Sequence, residues 1–458
     1  MNWKKILALS LFLAVLAAAI VWVNRNEKLR PAAAGTLLDI PGDAVEKIEL
    51  RHKGGRFVFS RRDTLWHLEE PLAAKADKVA LESILDNFCQ LKYDRLVAED
   101  GRDLKTFGLD DPEIELKLFS RNRPTVAVLL GVKNSLDDSS YAKLANGNQV
   151  VSLAAYKRND LEKDLFAFRD KKFLDVDAMS VNALDLRYGE SRFVLARKDD
   201  RWFLEKPVYS LASAAKVDDL LAAASTLEAL SFAPAAAGDE FGLAAPLLTA
   251  DFRGSAGSRR IAVGKKGERF FARVEGAAEV CGIDAGFLEK FAGDASAWRE
   301  KKVARFYAYD VRDLSYRRGS FQFTVRKDAA GTWQFASPLP GKQLDTEKVD
   351  ALLTALADLE AGEFIDAPLP LPVAATRVVL KTQDQVDPGK QSEIVMEFHA
   401  GAGEMVIARN PALPYAFKVD RGILEQFPGK LEDIIREIAA VPAPGNEPPG
   451  KIQKVELK

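Results

Sequence analysis

Phe57-Val-Phe-Ser-Arg-Arg-Asp63, followed by Trp66 and Pro71, is a stretch that recurs in altered form twice more along the chain. The other forms are Phe193-Val-Leu-Ala-Arg-Lys-Asp199 with Trp202 and Pro207, and Phe323-Thr-Val-Arg-Lys-Asp328 with Trp333 and Pro338. In each form the proline follows the tryptophan by five positions. This agreement indicates an internal repeat, and the apolar alternation around each aspartate predicts a β-hairpin with tryptophan on its second strand.

A helix with one apolar face is predicted after each proline. Apolar residues recur at helical spacing from Ala76 to Leu91, from Ala215 to Leu230 and from Thr346 to Leu359. In the second copy the apolar positions are Val217, Leu220, Leu221, Ala224, Leu227 and Leu230.

Two further landmarks follow each predicted helix. The first is Phe107-Gly-Leu-Asp-Asp-Pro112 and Phe241-Gly-Leu-Ala-Ala-Pro246, whose glycine suits a turn with positive φ, whereas the third copy has Ala367-Pro-Leu-Pro-Leu-Pro372. After several strands, a last helix is predicted to end in Phe168-Arg-Asp-Lys-Lys172, Trp298-Arg-Glu-Lys-Lys302 and Leu431-Glu-Asp-Ile-Ile-Arg436. The clustered positive charge at Arg169, Lys171 and Lys172, and at Arg299, Lys301 and Lys302, is typical of a helix C-terminus; a lipid or phosphate site is the alternative.

The predicted fold class is α+β, with three tandem divergent repeats, each a mostly antiparallel sheet with amphipathic helices packed on it, after one N-terminal transmembrane helix. The predicted organisation is a cytoplasmic stub and transmembrane anchor at 1–30, repeats at 36–173, 174–303 and 304–440, and a Pro-rich flexible tail at 441–458.

The anchor is predicted from the uncharged run between Ile6 and Val23, which is long enough as a helix to cross a bilayer. Lys4 and Lys5 precede it, and Trp3 and Trp22 lie near its ends, where interfacial aromatics are expected. A signal peptide cleaved near Ala17-Ala-Ala19 is the alternative, although the apolar run continues beyond those alanines. Charge bias alone leaves the orientation open.

Composition excludes several classes of function. The 65 basic and 67 acidic residues nearly cancel, so no field attracts nucleic acid. The two cysteines, Cys89 and Cys281, fall in different copies and are interpreted as buried free thiols. The three histidines, His52, His67 and His399, lack metal-ligand spacing. No catalytic, cofactor-binding or metal residue is predicted.

Enzyme motifs are also absent from the sequence. It has no nucleophile elbow, Walker loop, H-E-x-x-H or C-x-x-C, and Gly401-Ala-Gly403 is interpreted as a hairpin turn. The acidic stretch Ser135-Leu-Asp-Asp-Ser-Ser140 lacks the spaced ligands of a calcium site and is interpreted as a solvated loop.

The order of these landmarks, from the tryptophan and proline to the Arg-x-Lys-Lys end, resembles the DUF4340 family of bacterial envelope proteins. The lysine-led N-terminal span is similar to the anchor of that family. The resemblance covers the first two copies well and the third less, because the third lacks Phe-Gly-Leu and Arg-x-Lys-Lys. Family members occur with ABC-2 type permeases, their ATPases and gliding-motility-like auxiliary proteins, which implies an accessory protein anchored in the inner membrane with its body in the periplasm.

Two functions are therefore weighed. The preferred hypothesis is a non-enzymatic accessory or assembly protein, bound to the lipid bilayer through its N-terminal helix and to an ABC transporter permease or auxiliary component. The alternative is an anchored envelope hydrolase or glycan-binding protein with a site between copies. A cleft lined by paired carboxylates would favour the hydrolase, whereas flat or apolar exposed patches would favour the accessory protein.

Overall fold

The computed structural model describes Leu16 and residues 34–135, 137–234, 240–366, 370–383, 391–401 and 404–436. Apart from Leu16, the predicted anchor at 1–30 lies outside the described residues, as does the predicted tail at 441–458. Within the described residues, no helix is both long enough and apolar enough to cross a bilayer.

The first large sheet and a two-stranded sheet are formed by β1 (Gly35–Asp39), β2 (Val45–His52), β3 (Gly55–Arg62), β4 (Leu65–Glu70), β5 (Ala74–Lys75), β6 (Gln90–Tyr93), β7 (Arg95–Ala98), β8 (Ile114–Ser120), β9 (Val126–Lys133), β10 (Ser140–Leu144) and β11 (Val150–Leu153). The large sheet has the order β5-β4-β3-β2-β8-β9-β10-β11-β7, and β1 pairs with β6. Alternation decides the faces: in β8, Ile114, Leu116 and Leu118 are buried, whereas the residues between them are partly exposed.

The second large sheet is formed by β12 (Val181–Tyr188), β13 (Ser191–Lys198), β14 (Arg201–Lys206), β15 (Ser210–Leu211), β16 (Ser231–Pro234), β17 (Leu248–Gly254), β18 (Gly257–Lys266), β19 (Arg269–Val274) and β20 (Glu279–Ile283). Its order, β15-β14-β13-β12-β17-β18-β19-β20-β16, repeats that of the first sheet strand for strand. The pairs from β15 to β19 are antiparallel.

The third large sheet and a second two-stranded sheet are formed by β21 (Val311–Arg318), β22 (Phe321–Lys327), β23 (Trp333–Phe335), β24 (Gln343–Leu344), β25 (Glu363–Ile365), β26 (Thr376–Gln383), β27 (Gln391–His399), β28 (Met405–Arg409), β29 (Ala416–Asp420) and β30 (Ile435–Arg436). The large sheet has the order β23-β22-β21-β26-β27-β28-β29-β25. Strand β24 is not part of this sheet, unlike β5 and β15 in the first two sheets, and it pairs with β30 instead.

Among the described residues, the helices whose bounds are complete are α1 (Lys78–Cys89), α2 (Ala155–Leu161), α3 (Leu165–Phe168), α4 (Ala214–Ser225), α5 (Gly286–Glu289) and α6 (Thr346–Asp358), and the 3₁₀ turns whose bounds are complete are Gly42–Ala44, Leu104–Phe107, Ala295–Trp298, Ala308–Asp310, Arg421–Glu425 and Leu431–Asp433. The three longest helices begin at polar caps, Asp77, Ser213 and Asp345, each of which accepts a backbone hydrogen bond from its own first turn.

The predicted end of the second long helix is wrong. Val217, Leu220, Leu221 and Ala224 are buried on α4 as expected, but the helix stops at Ser225 and Leu230 is 62% exposed. The apolar spacing continues in the sequence beyond the end of the helix. There the backbone is held in a different conformation, because the Ala229 amide donates to the Lys171 carbonyl at 2.9 Å.

The three repeated tryptophans lie on equivalent second strands of their hairpins, and all are buried, as predicted. Trp66, Trp202 and Trp333 are 6%, 5% and 3% exposed. Strands β4, β14 and β23 contact α1, α4 and α6, respectively. Trp333 Nε1 also donates to Asp350 Oδ1 on α6 at 2.9 Å, so this indole is both packed and hydrogen-bonded.

The described residues fall into two compact units. The first comprises the residues up to Phe173 with Glu228–Pro234 and Cys281–Ile283, and the second comprises the remainder. The core of the first unit gathers the inner faces of β2, β3 and β8 with α1. In the second unit, a core of the same kind lies between the third sheet and α6.

Candidate functional site

A short helix precedes the first Arg-x-Lys-Lys segment, as predicted, but the segment itself is extended backbone, so the prediction that the helix runs through it is wrong. Helix α3 ends at Phe168, and Arg169 has φ −95° and ψ 143°. Arg169 then forms a β-bridge with Ala76, and Lys172 forms one with Glu228. The segment is extended because backbone groups on both sides bind it.

The Arg169 side chain is buried against an aromatic ring. It is 6% exposed, and its guanidinium carbon lies 3.6 Å from the ring centroid of Phe232 on β16. Phe166 packs on the same phenylalanine, with ring centroids 5.8 Å apart. Lys171 Nζ lies 3.2 Å from Asp77 Oδ2, so the carboxylate that caps α1 also binds this lysine. The positive charge is thus used inside the fold.

The second segment repeats this arrangement, and here the carboxylate that binds the arginine is a described residue. The 3₁₀ turn ends at Trp298, and the extended residue Arg299 forms a bridge with Ala212, while Lys302 forms one with Glu360. The Arg299 guanidinium carbon lies 3.8 Å from the Phe364 ring centroid and 4.7 Å from that of Tyr415. Its two terminal nitrogens donate to Asp366 Oδ2 and Oδ1 at 2.9 and 2.6 Å. This fork is the bidentate geometry that arginine offers to a carboxylate.

Burial also affects the aromatic partner of Arg299. Burial raises the pKa of Tyr415, whose hydroxyl accepts a hydrogen bond from the Leu211 amide at 3.2 Å. The phenol therefore stays neutral beside the guanidinium.

Isoleucine occupies the corresponding position at the end of the third sheet. For each of the three sheets, the backbone amide of a helix-capping residue donates to the carbonyl of the residue that precedes this position. These hydrogen bonds run from Asp77 to Phe168, from Ser213 to Trp298 and from Asp345 to Ile434. The next residue is Arg169, Arg299 and Ile435, respectively. Ile435 pairs with Leu344 in the β24–β30 ladder and is 9% exposed.

The N-terminal strand β1 forms the same kind of pairing at the start of the first sheet. The Ile40 amide donates to the Cys89 carbonyl at 2.8 Å, as the Val303 amide donates to the Leu359 carbonyl at 3.2 Å. Asp39 faces Gln90 as Lys302 faces Glu360. Strand β1 therefore holds the place that an Arg-x-Lys-Lys segment holds later in the chain.

A separate feature is an open groove of about 580 Å³ on the third sheet. Its lining contains two arginines, hydroxyl groups and apolar side chains, but no Asp or Glu, and includes Ser315, Arg317, Thr324, Phe335, Arg377 and Val379. On β21, Ser315 and Arg317 alternate with the buried Tyr316, so they face solvent.

No cysteine or histidine is among the residues that line this groove. Cys89 and Cys281 are buried and form no disulfide with each other, as predicted, and burial raises the pKa of the Cys89 thiol to about 11. Burial lowers the pKa of His52, which stacks on Phe57 with centroids 5.3 Å apart. Within the part of the chain that the structure describes, no group of three or more His, Cys, Asp or Glu is placed to hold a metal ion.

The two polar loops singled out in the sequence are engaged locally. Asp137 accepts hydrogen bonds from the Ser139 hydroxyl and amide at 2.6 and 3.1 Å, and these bonds hold the pKa of its carboxyl below the ordinary value. Leu136 lies outside the described residues. The stretch from Gly401 to Gly403, of which only Gly401 is described, falls between antiparallel β27 and β28, as expected of a hairpin.

Sequence reasoning missed a glycine pair in each of the first two sheets. Gly108 and Gly242 have φ of +61° and +71°, as predicted. Their partners are Gly131 and Gly264, where an added Cβ would lie 1.9 Å from the Phe107 carbonyl oxygen and 2.2 Å from that of Phe241. Aligning the strands of the copies would have found them, since each glycine follows a buried apolar residue of the strand, Leu130 or Val263.

In the third sheet, a histidine occupies the position that Gly131 and Gly264 occupy in the first two sheets. Leu130, Val263 and Phe398 each pair with the first residue of the neighbouring strand, Ile114, Leu248 and Thr376, respectively. The residue after Phe398 is His399, which is buried, with Nδ1 2.9 Å from the Pro372 carbonyl oxygen. The third sheet therefore differs from the first two in both partners of the contact: it lacks Phe-Gly-Leu, and it has His399 in place of the glycine on the facing strand.

Antiparallel sheets of matching strand order, with few helices, define a sheet-rich α+β protein. The chain belongs to the DUF4340 family: the family model, described as Domain of unknown function (DUF4340), matches residues 66–246 and again 202–376. The two matches begin at the equivalent tryptophans Trp66 and Trp202, which confirms the resemblance seen in the sequence. The association with transport systems stays a prediction.

No curated protein matches the chain. Among solved structures, similar chains are the DNA polymerase III subunit beta of Borrelia burgdorferi (9% identity, 83% of this chain and 92% of that chain covered, TM-score 0.15) and of Pseudomonas aeruginosa (8%, 84% and 94%, 0.13), and the DnaN sliding clamp of Bartonella birtlesii (7%, 83% and 91%, 0.14). Likeness at these TM-scores supports no inference about fold or function.

Proposed function

We propose that this chain is a membrane-anchored, extracytoplasmic, non-enzymatic accessory protein of an ABC-type transport system, built from three divergent copies at 36–173, 174–303 and 304–440. The observation that carries the proposal is the use of the recurrent charged residues. Arg169 and Arg299 are buried against Phe232 and Phe364, where they join successive elements of the fold. Residues repeated for folding support a scaffold, whose free surfaces are left for partners.

The chemistry of the groove supports the same proposal over a hydrolase. Glycoside hydrolysis requires a pair of carboxyl groups across the cleft. The groove on the third sheet offers Arg317 and Arg377 and no carboxylate in its lining. Its residues are suited to binding an anion rather than to general acid catalysis, so this groove does not favour the hydrolase.

The anchor in this proposal is the uncharged run from Ile6 to Val23. A chain held by one span, with its body outside the cytoplasm, is placed to contact the external face of a permease. The inner membrane of a bacterial cell and its periplasmic side are therefore the proposed location.

Capture from membranes tests the partner. Cells expressing the tagged full-length chain would be treated with a membrane-permeable crosslinker, solubilised and purified through the tag. We expect a permease or auxiliary subunit of a transport system to co-purify. The matched control is a chain lacking residues 1–30, directed to the same compartment by a cleavable signal, which should recover much less of that subunit. Recovery of no envelope protein by the full-length chain would contradict the proposal.

Protease access tests the topology. Protease added to spheroplasts should digest the body of the chain while a cytoplasmic marker stays intact. Protection of the body under conditions that cut a periplasmic control would show that the proposed orientation is wrong.

A further inference from the structure

The groove on the third sheet differs in charge from the corresponding face of the first sheet at two neighbouring cross-strand pairs. Arg51 on β2 faces Glu115 on β8, and the two side chains form an ion pair at 3.4 Å. Arg317 on β21 faces Arg377 on β26 at the same place in the order of strands. Like charges directly opposite one another are unfavourable in a sheet. The third sheet has thus replaced an internal ion pair by two adjacent cations.

The neighbouring cross-strand pair has lost its carboxylates as well. In the first two sheets this pair is Glu49 with Lys117 and Asp185 with Asp251, and in the third sheet it is Ser315 with Val379. Those carboxylates bind arginines: Glu49 lies 3.5 Å from Arg56, Asp185 is forked by Arg192, and Asp251 binds Arg260 at 3.1 Å. The third sheet has Ser315 in place of this carboxylate, and it has the neutral Gln322 in place of Arg56 and Arg192.

Arg317 is consequently an exposed cation that forms no ion pair with any described residue, and its neighbour Arg377 has Glu397 at 3.6 Å. Beside the two arginines, the Ser315 and Thr324 hydroxyls lie 3.3 Å apart and supply neutral hydrogen-bonding groups. Phe335 and Leu339 add apolar surface to the groove lining. The first two sheets each carry a carboxylate, Glu49 or Asp185, at the position that Ser315 occupies. The third sheet lacks this carboxylate.

We propose that the groove of the third sheet binds an acidic peptide segment of a partner protein, whose carboxylate is held by Arg317 and Arg377. The carboxylate would take the place that Glu49 and Asp185 hold in the other sheets, with the Ser315 and Thr324 hydroxyls donating to it. Apolar side chains flanking the acid would contact Phe335 and Leu339. Because the groove is open, an extended chain enters it without a conformational change in the sheet. This inference rests on the proposed function, since it names the chemistry of the partner.

The test uses the full-length protein in detergent and a rhodamine-labelled polyglutamate peptide, with a polyglutamine peptide of equal length as the neutral control. Fluorescence anisotropy should show binding of polyglutamate that weakens as salt is raised, and little binding of polyglutamine. Arg317→Gln should raise the dissociation constant about tenfold, because a charge-assisted hydrogen bond is lost. Arg51→Gln is the matched control in the first sheet and should leave the dissociation constant nearly unchanged.

A second variant supplies the missing carboxylate from the protein itself. Ser315→Glu should pair with Arg317 and abolish polyglutamate binding, while thermal unfolding shows that the chain stays folded. Equal binding of polyglutamine, or equal losses from Arg51→Gln and Arg317→Gln, would overturn the inference. If polyglutamate fails to bind but a partner is still captured from membranes, only the groove assignment fails; if it binds and no partner is captured, the accessory function fails.

Discussion

Arg299 and Asp366 are joined by two parallel hydrogen bonds, although 67 positions separate them in the chain. The guanidinium is buried, whereas the carboxylate is partly exposed. The carboxylate therefore neutralises a cation that would otherwise be enclosed among Phe364, Tyr415 and backbone. Removing the acid should cost more stability than its own exposure indicates, because it leaves a buried charge without a partner.

The Asp366→Asn variant should lower the free energy of unfolding by about 1–2 kcal/mol, since solvent reaches the carboxylate and screens part of the interaction. Arg299→Gln should cost at least as much, because the contacts with Phe364 and Tyr415 are lost too. Urea unfolding of both single variants and of the double variant measures the coupling between the residues. A double variant whose loss equals the sum of the single losses would contradict the pairing.

Trp333 allows packing to be separated from hydrogen bonding. Trp333→Ala, like Trp66→Ala and Trp202→Ala, should cost about 3–5 kcal/mol, because a large buried side chain is removed. Trp333→Phe retains an aromatic ring but loses the bond from Nε1 to Asp350, and Asp350→Ala removes the acceptor. Both substitutions should weaken α6, as measured by hydrogen exchange of its amides. Trp202→Phe is the control, because the indole of Trp202 donates no hydrogen bond to any described residue.

Gly131 should not tolerate a Cβ. Its Cβ would lie 1.9 Å from the Phe107 carbonyl oxygen, so Gly131→Ala must displace backbone and should cost about 2–3 kcal/mol. Gly189 is the matched control, because its φ is +59° and nothing lies within 4 Å of an added Cβ. Gly189→Ala should cost only about 1 kcal/mol of backbone strain. Thermal unfolding of the two variants compares them, and equal losses would refute the close approach.

Cys89 should contribute an alkaline limb to stability. Burial raises the pKa of its thiol from 9.0 to about 11, so the unfolded chain loses this proton at a lower pH than the folded chain does. Its contribution is complete below pH 9 and is lost as pH rises from 9 to 11, by up to about 2–3 kcal/mol. Cys89→Ala removes the titrating group. The free energy of unfolding, measured by denaturation between pH 8 and about 11, should fall less steeply with pH for the variant than for the unaltered protein. Parallel curves of this free energy against pH would contradict the assignment.

The elements of the fold that local patterns encode could be predicted from the sequence. Alternation specified the hairpins, and the tryptophan of each hairpin is buried because its position on the second strand faces the helix. Gly108 and Gly242 could be assigned a positive φ because a turn there favours glycine. Leu230 was misassigned, because helical spacing of apolar residues persists beyond the last helical hydrogen bond.

The contacts of the candidate sites could not be predicted in the same way. Arg169 and Arg299 stand two positions before a pair of lysines, so their local sequence resembles a helix terminus, whereas Phe232 and Asp366 are remote in the chain. The pairing of Arg317 with Arg377 depends on the register of β21 and β26, which no single strand sequence reveals. Long-range register, rather than residue type, was the missing information.

Strand β1 and Ile435 occupy, at the two ends of the described fold, the places that the Arg-x-Lys-Lys segments occupy inside it. Neither presents an arginine to a further aromatic strand. The contacts between an arginine and an aromatic ring involve only a few residues in each Arg-x-Lys-Lys segment. A protein of this design would therefore gain or lose whole copies of some 130 residues, a length close to the 136 positions from Trp66 to Trp202.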